Sequence, residues 1–148
     1  MAHHHMGKAY LNYRCYEQAI DHLTLALKKN SKLAGTVKQT KLYHTCILRA
    51  LSKCYYEISS FEDALEVLSK AEDIQSTYYH DNPDPNSPQE ERCDVDTFKL
   101  IANCHTKLKN YKKAHTYLER AMSYCKKWKG EKSVQLGKLK IDQAKNYF

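Results

Sequence analysis

Residues 52–71 read SKCYYEISSFEDALEVLSKA, and residues 7–26 and 102–121 read GKAYLNYRCYEQAIDHLTLA and ANCHTKLKNYKKAHTYLERA. The three stretches share one register. Gly7, Tyr10, Tyr16, Ala19, Leu23 and Ala26 are separated by steps of 3, 6, 3, 4 and 3. Ser52, Tyr55, Phe61, Ala64, Leu68 and Ala71 repeat those steps, as do Ala102, His105, Tyr111, Ala114, Leu118 and Ala121. The steps of 3 and 4 put Ala, Leu and Ala on one face of a helix. Small residues such as Ser52, Ala64 and Ala71 let two helices approach closely. Tyr16, Phe61 and Tyr111 fall at the turn, where an aromatic ring would plug the gap between the paired helices. Ser60 followed by Asp63 supplies an N-cap pattern for the second helix of its pair.

The order small residue, Tyr, turn aromatic, Ala, large apolar, Ala resembles the tetratricopeptide repeat, and the resemblance covers almost the whole chain. It implies an all-α fold of about seven helices, a right-handed superhelical stack of antiparallel helix pairs. The spacing departs from the usual period of about 34 residues: Gly7 to Ser52 is 45, and Ser52 to Ala102 is 50. Ala144 and Tyr147 restart the small-x-x-Tyr signature, 42 residues after Ala102. A period near 42 with Gly130-Glu131 after a second helix looks like the longer repeats of kinesin light chain.

Periodicity predicts helices over about 6–14, 17–30, 34–58, 61–79, 92–109, 111–128 and 133–147, with ends uncertain by about 2–4 residues. The stretch 80–91, HDNPDPNSPQEE, is acidic, polar and holds all three prolines, so it reads as a loop. Residues 1–6, MAHHHM, read as the remnant of a purification tag. Residues 7–148 then form one domain, with repeats at about 7–33, 45–79 and 95–128 and a capping helix at 133–147. The chain reads as a piece cut from a larger protein.

A length of 148 residues suits one domain, and 42% hydrophobic with 28% charged residues suits an ordinary soluble protein. No apolar run approaches the roughly 20 residues of a membrane span. The six cysteines form no Cys-x-x-Cys pair and five fall in helical patterns, which suits free thiols in a reducing, intracellular and cytoplasmic setting. The net charge of +7 favours acidic partners in general.

Little in the sequence supports chemistry. Cys104 and His105 are adjacent, so on a helix they point about 100° apart and do not share an ion easily; no metal ligand set and no cofactor is expected. His105 fills a Tyr slot and reads as a packed residue. No Cys precedes a helix beside a base, and four scattered glycines make no phosphate loop. Lys126 to Lys132, KKWKGEK, places Trp128 among cations, yet no aromatic-basic stripe recurs per repeat, which argues against nucleic acid. The protein is therefore expected not to be an enzyme.

The resemblance implies that the first helix of each pair lines a concave, peptide-binding face. The residues carried onto it are Lys8 and Asn12; Arg49, Lys53 and Tyr56; Lys99, Asn103 and Lys107; and Lys138 and Lys145, with Leu11, Glu57, Thr106 and Ile141 beside them. Arg49, Lys53, Lys99 and Lys107 are expected to form one positive patch. The clamp that related domains use for chaperone C-terminal tails is missing: Lys8 and Ala50 stand where Asn is needed, and Asp96 and Leu100 where cations are. The expected function is a scaffold or adaptor that binds an acidic peptide or helix in a basic groove. The alternatives are a self-assembly or regulatory domain of a larger complex and a nucleic-acid-binding helical repeat.

Overall fold

The computed structural model describes residues 2–33, 38–81, 88–129 and 134–145, with side chains described for 2–30, 43–76, 95–126 and 136–145. These residues form seven helices: α1 (Ala2–Asn12), α2 (Tyr16–Leu33), α3 (Lys38–Glu57), α4 (Phe61–Asp81), α5 (Pro88–Lys107), α6 (Tyr111–Lys129) and α7 (Val134–Lys145). The described residues contain no strand, so the fold is all-α. The chain divides into two compact units, Met1–Pro83 with α1–α4 and Asp84–Phe148 with α5–α7.

Three expected boundaries are corrected. α1 begins at Ala2 instead of near residue 6, so residues 2–6 of that stretch belong to the helix. Its His4 and Gly7 are both buried and lie one turn apart on one face, which draws the helix start back into the histidines. α5 begins at Pro88, inside the expected 80–91 loop, and α4 runs on through Asp81. Pro is tolerated at a first helical position because its missing N–H would have no partner there. The remaining loop residues, 82–87, lie outside the described residues.

Each pair turns on the same device. Arg14, Ser59 and Lys109 adopt φ of 62°, 63° and 61°. Their own N–H groups donate to Leu11, Tyr56 and Thr106 carbonyls, and the next N–H groups, of Cys15, Ser60 and Asn110, donate to Tyr10, Tyr55 and His105 carbonyls at 2.8–2.9 Å. This is a left-handed helix cap closed by a 6→1 bond. Cys15, Ser60 and Asn110 carbonyls then accept from Ala19, Ala64 and Ala114, which opens the second helix.

The slot residues build the cores. Ala19, Leu23, Ala26, Ala64, Leu68, Ala71, Ala114, Leu118 and Ala121 are all buried. In unit 1, Ala19, Leu23, Ala26 and Ala71 pack with Ile47, Leu48, Leu51 and Cys54 of α3; in unit 2, Leu118 and Ala121 pack with Val95, Phe98, Leu136 and Leu139. A fully buried leucine contributes about 1.5–3 kcal/mol. Gly7 shows why the first slot is small: an added Cβ would lie 2.6 Å from Leu23 Cγ. The turn aromatics are less uniform than expected, since Tyr16 and Phe61 are half-buried but Tyr111 is 47% exposed.

One position beyond the slots extends the register. Asn30, Gln75 and Cys125, four residues after the last Ala of each copy, are all buried. The Asn30 amide lies 3.1 Å from His44 Nδ1, tying α2 to the α3 of the following pair.

Candidate peptide-binding surfaces

The first helices of unit 1, α1 and α3, touch each other directly. Lys8, Asn12 and Lys53 are exposed on them. Arg49 is half-buried, and its Nη2 lies 3.5 Å from Cys46 Sγ one turn earlier, so it is held along its own helix. Tyr56 is also half-buried; its ring meets Phe61 edge-on at 5.4 Å, joining the end of α3 to the start of α4. Of the five positions expected here, three therefore face solvent and two are partly used by packing.

In unit 2, Lys107 and Lys138 are exposed and Asn103 is half-buried. Lys99 of α5 reaches α7, where its Nζ lies 3.7 Å from Asp142 Oδ2; the two side chains are 37% and 26% exposed. Lys145, 73% exposed, lies 3.9 Å from Asp142 Oδ1 on its own helix. Asp142 was invisible as a site residue in the sequence because only the α5–α7 contact gives it a role. Its neighbour Gln143 serves the other side of α7: its Nε2 lies 3.0 Å from His115 Nδ1, and His115 Nε2 lies 2.9 Å from Glu119 Oε1. Arg49 and Lys53 thus belong to unit 1, and Lys99 and Lys107 to unit 2.

The titratable groups are set for packing. Burial pushes the Cys54 and Cys104 thiols up to about 11, far from the thiolate that a nucleophile requires. Burial also holds His105 below its ordinary value, and its ring stacks on Tyr117 at 5.9 Å. The five described cysteines are free. Among the described residues no cluster of three or more His, Cys, Asp or Glu could hold a metal ion, and no helix is long and apolar enough to cross a membrane.

No protein-family model matches the sequence, and no curated protein matches it either. Among solved structures, the chain is similar to BtubC (BKLC) from P. vanneervenii, at 16% identity and a TM-score of 0.74. The match covers 95% of this chain and 51% of that one, so the chain spans about half the length of its structural neighbour. A likeness at this identity speaks to the fold, and the fold is an all-α helical repeat of the tetratricopeptide type.

Proposed function

We propose that the chain is a protein-interaction module that binds an acidic peptide or helix on its first-helix faces and catalyses no reaction. The observation that carries this reading is the exposed cations at first-helix positions: Lys8 and Lys53 in unit 1, and Lys107, Lys138 and Lys145 in unit 2. Asn12 and Asn103 add amides that donate to and accept from a peptide backbone. Each exposed charge contact contributes little, about 0–1 kcal/mol. Several on one face raise the local concentration of acidic segments and speed their association.

The test is a binding series with a fluorescein-labelled acidic peptide followed by anisotropy. Lys53→Glu with Lys99→Glu weakens binding strongly, and affinity falls as salt rises, because screening shortens the reach of exposed charges to about 8 Å at physiological ionic strength. Lys28→Glu with Lys70→Glu, on the second helices α2 and α4, has little effect. Equal losses from both pairs would move the binding surface off the first helices.

A further inference from the structure

The basic face of unit 2 already holds one anion. Asp142 shares the α7 face of Lys138 and Lys145, one turn from each, and its two carboxylate oxygens approach Lys99 at 3.7 Å and Lys145 at 3.9 Å. It stands two residues before the small slot Ala144; the same place before Ser52 and Ala102 holds Ala50 and Leu100. The acid is therefore special to α7 and is no part of the repeat's core pattern. Both distances exceed the 2.7–2.9 Å of tight charge-assisted bonds, and all three side chains are partly exposed, so the arrangement can exchange.

We propose that Asp142 is an internal competitor for the anionic ligand of this face, and that it makes unit 2 select segments with adjacent carboxylates over segments with one. The inference rests on the reading of the first-helix faces as peptide-binding surfaces. A single incoming carboxylate that takes Lys99 replaces one pair with another and then faces the displaced charge of Asp142, so it gains almost nothing. Adjacent carboxylates engage Lys99 and Lys145 together and add contact with the exposed Lys138, which outweighs the lost internal pair.

The experiment compares fluorescein-labelled hexaglutamate with a hexapeptide carrying one glutamate among glycine and serine, binding to the intact chain and to Asp142→Asn. Circular dichroism and melting verify that the variant folds. Asp142→Asn tightens the single-glutamate peptide by up to about fivefold, the upper worth of one exposed ion pair, and tightens hexaglutamate less, so the selectivity ratio narrows. Lys99→Met serves as the second variant: it weakens hexaglutamate, leaves the single-glutamate peptide nearly unchanged, and removes the gain from Asp142→Asn when the two are combined. Unchanged or weaker binding of both peptides to Asp142→Asn, with hexaglutamate still sensitive to Lys99, overturns the competitor role and leaves the binding face standing. No binding of hexaglutamate to any form overturns both.

Discussion

The first-helix faces of the two units stand on the same slots and differ in charge economy. In unit 1, no ion pair among the described residues involves Lys8 or Lys53, whereas in unit 2 Lys99 and Lys145 lean on Asp142. Beneath these faces the cores match: Ser52 and Ala102 fill the small slot, Leu68 and Leu118 the large one, and all are buried. The difference teaches that helix pairing constrains size at a few positions and leaves the solvent-facing positions open to diverge. The fold is written in the slots.

The strongest test of core equivalence is truncation of the large slot in each unit. Leu68→Ala and Leu118→Ala should each cost about 2–5 kcal/mol, the range for buried leucines that leave a cavity. Thermal or denaturant unfolding of the two variants checks this, and a cost below about 1 kcal/mol in one unit would break the equivalence. Overpacking comes next. Ala64→Leu and Ala114→Leu should each lose about 1–3 kcal/mol. Gly7→Ala should also destabilise, since its Cβ would meet Leu23 Cγ at 2.6 Å, while Gly137→Ala on α7 has nothing within 4 Å and should gain about 0.5–1 kcal/mol.

A smaller effect depends on pH. His4 is 6% exposed and packs edge-on against Tyr43 at 4.9 Å. Burial, helped by Lys8, lowers its pKa from 6.5 to about 4. Between these values the unfolded chain binds the proton and the folded chain does not, so stability is flat above about pH 6.5 and falls as pH drops toward 4. His4→Phe should flatten part of that fall in melting temperature. His44 and His105, also held low by burial, keep the remainder. The smallest effect belongs to the turns. Arg14, Ser59 and Lys109 hold positive φ without being glycine, so Lys109→Gly should stabilise by about 1 kcal/mol or less in either thermal or urea melts.

Much of the fold was legible because packing of paired helices demands residue size at fixed steps, and Ala, Leu and Ala recur three times with those steps. The parts that were not legible have physical reasons. No glycine marks the left-handed turn at residues 14, 59 and 109, so the cap is carried by hydrogen bonds that leave no residue signature. His4 sits in a run that resembles a tag, and only its contact with Tyr43 reveals it as core. Pro88 reads as loop chemistry until its place at a helix start removes the usual penalty. Of the expected surface residues, Lys8 and Lys53 are exposed. Lys99 lies on α5 and meets Asp142 of α7, a contact that depends on how α7 lies against α5, which periodicity does not encode.

The central claim is tested most directly by mapping hexaglutamate onto the chain by amide chemical-shift titration. The account predicts the largest shifts around Lys8 and Lys53 on α1 and α3 and around Lys99, Lys138 and Lys145 on α5 and α7, all fading together as salt is raised. Shifts concentrated instead around Lys28, Lys70 and Lys126 on the second helices, or shifts that persist at high salt, would contradict it.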